Sequence, residues 1–400
     1  IYTLSLHDAL PISELTFIYL PLISLVALLG GILNSLGKFA AMASAPILLN
    51  LFLISSLGIF ADILQTPGHG LAIGVAIGGL AQLIWLIEAC RRAKALPRLV
   101  WPRWTPRVSR LLKFMLPALL GAGVVQINLL IDVILASILP TGSVSYLYYA
   151  DRLNQLPLAV IGIAIGTALL PNMSRNIQAG RLQEAKENQE KSLEIGLILT
   201  IPAAFGLMIL SDPIVTALFQ RGAFDTASAA ATAIALVCYS AGLPAFVIIK
   251  IFQPNFFARH DTTTPVKIAA GSVVINLILN LILMQYFGHA GLAMATSISA
   301  WLSAAIFAIV LKTRNLYSPR RQLLRKIIRI TLAATVMGLG LVALKEFSGD
   351  FAESSSLSGI CVLLLLIFCG GFIYFISLFL FNGISKEEIV ENLKRWSVRD

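Results

Sequence analysis

Charge is what this sequence has least of. Only 12% of its 400 residues are Asp, Glu, Lys or Arg, while 58% are hydrophobic. A water-soluble domain carries about a quarter charged residues, so a chain this apolar has to hide surface in lipid. Cysteine and histidine are scarce as well, with four of each. Cys90, Cys238, Cys361 and Cys369 form no CxxC pair and lie in or beside apolar runs, which reads as packing or lipid-facing positions rather than disulfides or metal ligands. The histidines are scattered, so no zinc-ligand pattern exists. There is no Walker A string, so nothing points to ATP hydrolysis. There is also no DDxxD-like acidic cluster and no long external loop, which argues against a polyprenyl-phosphate membrane enzyme. The net charge of +10 sits in short loops between apolar runs, as the positive-inside rule expects. That placement argues against nucleic-acid binding.

What the chain does have is a series of runs long enough to cross the hydrocarbon core as helices. Eleven are expected, roughly Thr16–Leu36, Ala43–Ile63, Leu71–Ala89, Leu111–Leu139, Leu153–Leu170, Ile195–Leu210, Ala227–Phe252, Val266–Tyr286, Gly291–Leu311, Ile327–Leu344 and Gly359–Phe381. The fold class is therefore an all-α polytopic membrane protein. Nearly all Lys and Arg fall in alternate loops and in the tail, while the intervening loops hold only Arg221 and Lys345. This alternation places the C-terminus in the cytoplasm, and the first helix then runs from outside to inside. The segment Tyr2–Ile12, YTLSLHDALPI, resembles a common sequencing adapter translated in frame, so residues 1–14 are set aside as non-native.

Helices one to three resemble helices seven to nine. Lys38-Phe39 with Ala45-Pro46 and Asn50 is echoed by Arg259-His260 with Thr264-Pro265 and Asn276. Gly68-His69-Gly70-Leu71-Ala72 is echoed by Gly288-His289-Ala290-Gly291-Leu292-Ala293, and the copies end on Arg91-Arg92 and on Lys312 with Arg314. An offset of about 220 residues, or six helices, makes the repeat parallel, an arrangement common in secondary transporters. Residues 15–110 then form the second half of one lobe, 111–312 a complete six-helix lobe, and 313–400 an appended helix pair with a charged tail. By this repeat, three further helices are expected to precede the chain.

Several polar groups sit where lipid makes them costly. Asp151 and Arg152 stand at the mouth of an apolar helix, followed by Gln155, with Gly162 and Gly166 four apart further along. The guanidinium fork suits phosphate oxygens, although an interfacial Asp–Arg pair can also serve only as an anchor. Lys250, in VIIKIF, is expected either to face a cavity or to snorkel to the nearby interface, because a lysine this deep costs about 2.5–3.5 kcal/mol on insertion scales. Asp132 lies in LLIDVIL with no base within several turns of its helix. Asn276 and Asn280 share a face of helix eight. Thr296 on helix nine follows the carbonyl of Leu292 by one turn. These oxygens suit a monovalent cation, sodium, around Asp132. A protonated Asp132 coupled to proton movement, and plain interhelical hydrogen bonding, are the other readings. Arg320, Arg321, Arg325, Lys326 and Arg329 crowd the start of helix ten and read as a topology anchor that touches anionic lipid.

The string YYADRLNQLP…GIAIGTALLP, Tyr148 to Pro171, together with FARHDTTTPVK, Phe257 to Lys267, resembles the signature of the MurJ (MviN) lipid II flippase family. This family belongs to the multidrug/oligosaccharidyl-lipid/polysaccharide exporter superfamily. The resemblance runs from about Phe17 to the tail. It implies a fourteen-helix, two-lobe transporter of which this chain carries the fourth to fourteenth helices. It also implies alternating-access translocation of lipid II, the undecaprenyl-pyrophosphate-linked peptidoglycan precursor, across the bacterial inner membrane. A drug or polysaccharide exporter of the same superfamily is the alternative. Arg152, with Asp151 beside it, is similar to the cavity arginine that meets the headgroup. Gln155 stands where relatives often have Glu, and Lys250 matches a lysine. Asp132, Asn276, Asn280, Leu292 and Thr296 resemble a sodium-site pattern with Asp in place of Asn280. The last helix pair is expected to form a groove for the polyprenyl tail.

Overall fold

The structure, a computed structural model, describes residues 6–60, 67–97, 105–349 and 357–383. The charged tail expected over Ser385–Asp400 lies outside them. The described residues are helical throughout and fall into two compact units, 1–108 and 109–400.

In the first unit, α1 (Leu6–Phe17) breaks at Ile18 and leads into α2 (Tyr19–Ser35), followed by α3 (Ala40–Phe60) and α4 (Pro67–Arg92). The adapter-like segment, excluded from the fold by sequence, is thus helical from Leu6 onward. α3 and α4 form a close hairpin, and α2 packs on α4. Glycines permit this approach: a Cβ at Gly74 would meet Ser56, and one at Gly78 would meet Leu49. Gln82, buried between the helices, donates to the carbonyl of Ala45 at 2.9 Å and accepts from the Tyr19 hydroxyl.

The second unit begins with α5 (Pro106–Ile138). A rod follows: α6 (Ser143–Pro157), a π-helical turn (Leu158–Ile163) and α7 (Ala164–Gln178). The rod starts ten residues before the sequence expectation of Leu153. The charges at Asp151 and Arg152 close an apolar window, yet Ser143, Leu147, Ala150 and Asn154 form a buried stripe at helical spacing that continues through them. Asp151 and Arg152 therefore lie inside a helix, not at its mouth. The widened turn follows Pro157, which has no N–H to give to the preceding turn.

α8 (Leu182–Ile209) and the short α9 (Ser211–Phe219) come next. α8 starts thirteen residues before the expected Ile195, because its first turns are polar. The expected single helix Ala227–Phe252 is two, α10 (Thr226–Ser240) and α11 (Leu243–Phe257). At the break, a Cβ on Gly242 would lie 2.9 Å from the Ser297 backbone, so only glycine fits. Backbone carbonyls at the break are taken by α13 (His289–Thr313): Ser297 Oγ donates to Cys238 at 2.6 Å and Trp301 Nε1 to Ala241 at 2.9 Å. α12 (Thr263–Phe287) forms a hairpin with α13, and α11 packs on α13, the same order of packing as in the first unit. α14 (Arg321–Ser348) and α15 (Leu357–Leu380) pair with each other, and α14 lies along α8.

Among the described residues, nine helices are long and apolar enough to span a membrane. The other two of the eleven expected runs fall on α5, in which Gln126–Ile138 is an apolar helix among the described residues, and on the rod interrupted by the π turn. The chain is a multi-pass membrane protein.

One turn outside the spans is tightly fixed. Asp261, before α12, accepts from the Thr264 backbone N–H at 2.9 Å, from the Thr264 hydroxyl at 2.7 Å and from Arg314 Nη1 at 2.7 Å. These donors, the Thr264 hydroxyl foremost, hold its carboxyl down at about 2 against an ordinary 3.8. A lowered folded value means that the stabilisation is complete above the unfolded value and lost as pH falls through the folded one. The gap in melting temperature between the wild type and Asp261→Ala in detergent is expected to be constant from about pH 7 to about pH 5 and to close between about pH 4 and pH 2. A gap that closes above about pH 5 would assign the stabilisation to another group.

Candidate substrate and ion site

Inside the second unit, α5, the rod, α10, α11 and α13 surround a cavity of about 460 Å³. Its walls include Asn128 and Asp132 from α5, Tyr148, Asp151, Asn154 and Gln155 from α6, Tyr239 from α10, Lys250 from α11 and Thr296 from α13. Residues far apart in sequence that the sequence analysis singled out thus meet in one space.

The ion-site candidates do converge. Asn280 Nδ2 donates to Asp132 Oδ1 at 2.7 Å and to Asn276 Oδ1 at 3.0 Å. Asn276 lies 3.4 Å from Thr296 Oγ1, whose hydroxyl donates to the carbonyl of Leu292 at 3.0 Å. Asn276 and Asn280 are buried, and Asp132 is half-buried. With the Asn276 amide in its satisfied orientation, its N–H points toward Asp132 and Asn128 and its oxygen accepts from the Thr296 N–H. Asn280 Oδ1 is buried with no hydrogen-bond partner. No ion pair to Asp132 appears among the described residues.

Sequence reasoning missed Asn128. It donates to Asp132 Oδ2 at 3.2 Å from one turn earlier on α5. The signal was present as an Asn–Asp pair four residues apart, hence on one face. It also passed over Asn154, which is buried, lines the cavity and carries an unpartnered side-chain oxygen.

The headgroup candidates are divided. Asp151 and Gln155 line the cavity, and the Gln155 amide donates to the Asp151 carboxylate. Lys250 lies mid-helix in α11 rather than near a helix end, half-buried, with its aliphatic stem against Gly162, where a Cβ would come within 2.9 Å. The close-approach glycine thus accommodates a lysine stem. Arg152 is exposed and is not part of the cavity wall. Its guanidinium stacks 4.8 Å above the Tyr148 ring and donates to the Tyr148 hydroxyl at 3.1 Å, and that ring is itself a wall of the cavity.

Residues 5–362 match the family described as lipid II flippase MurJ. The chain belongs to this family. It is 39% identical over 390 residues to the probable lipid II flippase MurJ of Rhizobium tropici, covering 96% of this chain and 73% of the relative. With the Rhizobium meliloti (strain 1021) protein of the same description it shares 40% over 388 residues, 96% and 72% of the two chains. With the Vibrio cholerae one it shares 39% over 324 residues, 81% and 62%. A solved structure of lipid II flippase MurJ in an inward closed conformation superposes with a TM-score of 0.75, at 24% identity, over 90% of this chain and 71% of that one. The MurJ family match also takes in most of the N-terminal segment set aside by sequence.

Asn128 carries a direct expectation. Asn128→Leu removes a donor from a carboxylate inside an apolar span and is expected to cost about 1–3 kcal/mol. The readout is the thermal midpoint in detergent. Leu130→Ala, at an exposed position two residues on, should cost clearly less. Equal losses would mean that Asn128 only fills space.

Proposed function

We propose that the chain translocates lipid II from the cytoplasmic to the periplasmic leaflet of the bacterial inner membrane, for peptidoglycan synthesis. The observation that carries this is the cavity of about 460 Å³ that unites Asp151, Gln155 and Lys250 with Asp132 and Thr296, in a member of the lipid II flippase family. The physical problem is the headgroup. A pyrophosphate with sugars and a peptide cannot enter hydrocarbon without losing its hydration. The polar groups set in the wall of this cavity replace part of that hydration while the polyprenyl chain stays in lipid. Lys250 supplies a positive charge for the pyrophosphate, and its stem is held by Gly162. Arg152, stacked on Tyr148, offers a bidentate fork at the edge of the same space. Asp151 and Gln155 present acceptors and an amide to sugar or peptide groups. Alternating exposure of the cavity to the two leaflets completes transfer, with the C-terminus on the cytoplasmic side.

The Asp132 cluster is the proposed coupling site. Its donor set fits a monovalent cation such as sodium: one carboxylate, amide oxygens of Asn128, Asn276 and Asn280, the Thr296 hydroxyl and the Leu292 carbonyl. The unpartnered Asn280 Oδ1 supports this reading. A cation held there supplies the charge that lets Asp132 stay ionised in an apolar span, and the membrane potential acts on it with about 2.3 kcal/mol per charge per 100 mV.

Two expectations follow from these roles. Arg152→Ala is expected to abolish lipid II transfer in reconstituted vesicles while leaving folding intact, and Arg152→Lys to recover little, because a point charge lacks the planar fork. Wild-type transfer by the alanine variant would reduce Arg152 to an anchor. Sodium is expected to raise the thermal midpoint over an equal concentration of potassium, and Asp132→Asn to remove that difference. A sodium effect that survives Asp132→Asn would place the ion elsewhere, and no sodium effect in the wild type would leave the proton as the coupling species.

A further inference from the structure

α7 and α8 are antiparallel neighbours joined by a short turn, and between them lies a second cavity of about 330 Å³. The two helices line it in matching order. Toward the membrane interior the walls are Ile165 and Leu169 from α7 and Ile195 from α8. Toward the connecting turn they are Asn172 from α7 and Asn188, Lys191 and Ser192 from α8. Ile165 lies about 10 Å deeper than Asn172 at about 1.5 Å per residue, so the groove passes from apolar to polar within the thickness of half a leaflet.

The charges around this groove are one-sided. α8 carries Glu187, Glu190 and Glu194 at spacings that put them on one face, and the start of α14 satisfies them. Arg320 pairs with Glu187 at 3.1 Å and with Glu190 at 3.5 Å, and Lys326 pairs with Glu194 at 2.6 Å. Lys191 stands on the neighbouring face, exposed, and among the described residues it makes no ion pair. Arg175, one turn from Asn172 on α7, is also exposed. It donates to Asn172 Oδ1 at 2.6 Å and makes no ion pair among the described residues either. Among the described residues, no carboxylate lines the cavity. Glu187, Glu190 and Glu194 are committed to α14, which leaves the α7–α8 groove with Lys191 in its wall, Arg175 hydrogen-bonded to Asn172 of that wall, three neutral polar side chains and an apolar floor.

We infer that this groove binds an anionic phospholipid of the cytoplasmic leaflet, with its phosphate between Lys191 and Arg175 and an acyl chain along Ile165, Leu169 and Ile195. The charge complementarity selects an anion, and the apolar depth selects one with a chain attached. The leaflet rests on the orientation proposed above, whereas lipid binding itself does not depend on transport. Each basic side chain contributes about fivefold to the affinity for an anionic lipid surface.

The test is lipid retention by the full chain, purified in neutral detergent and offered phosphatidylglycerol or phosphatidylcholine, with bound lipid counted by native mass spectrometry. Phosphatidylglycerol is expected to be retained in preference to phosphatidylcholine. Lys191→Gln and Arg175→Gln should each weaken that retention about fivefold and act together when combined. Ile195→Trp, which fills the floor and keeps both charges, should weaken it as well. Lys312→Gln removes an exposed charge outside the groove and should change nothing. Unaltered phosphatidylglycerol binding in the double variant would overturn the assignment. An equal loss in Lys312→Gln would reduce it to unspecific surface charge. Full competition by inorganic phosphate, with Ile195→Trp behaving as wild type, would make the groove an anion site without a lipid.

Discussion

A carboxylate in the middle of an apolar span has to be compensated, and the second unit is arranged around that requirement. Asp132 cannot reach a base on its own helix, and α12 and α13 bring amides and a hydroxyl instead of charges. Asn280 and Asn128 donate to its two oxygens, Asn276 braces Asn280, and Thr296 ties the cluster to the backbone of α13. Amides are ambivalent in a way that a lysine is not. They can present N–H to a bare carboxylate or turn their oxygens toward a cation.

The backbone irregularities lie beside this cluster. The π turn after Pro157 sits between the Asp151–Gln155 face and the Gly162 position that receives the Lys250 stem. The break at Gly242 separates Tyr239 from Lys250, and it is held by Ser297 and Trp301 from the helix that carries Thr296. The rod, which carries Asp151, and the α10–α11 pair, which carries Tyr239 and Lys250, are thus both interrupted near the cavity. Interrupted helices are tolerated in lipid only where the freed backbone groups find partners, and at the Gly242 break α13 provides them.

The span-forming helices were legible in the sequence because lipid allows few alternatives: a run of apolar residues bounded by bases has to cross. The local interruptions were not. Ala241-Gly242 looks like the interior of one apolar run, and only the approach of Ser297 shows why the helix stops there. The rod was read as starting at Leu153 because two charges ended the apolar window, although the stripe from Ser143 to Asn154 has the right period for a helix. The Asp132, Asn276, Asn280 and Thr296 group could be assembled from spacing and from the cost of burying a lone acid, whereas Asn128 escaped notice as one more polar residue in an apolar run. Arg152 shows the opposite limit. Residue type and motif point to a cavity, but the side chain folds onto Tyr148 instead of into the space.

The central claim is that the cavity between α5, the rod, α10, α11 and α13 is where the lipid II headgroup sits. Ala159 is exposed and lines that cavity, so it offers a reporter that is not itself a binding group. In a background with the native cysteines replaced by alanine, Ala159→Cys should react with a membrane-impermeant maleimide. Purified lipid II should slow that reaction in a dose-dependent way, while a neutral lipid of equal chain length should not. Labelling at the same rate with and without lipid II would contradict the account.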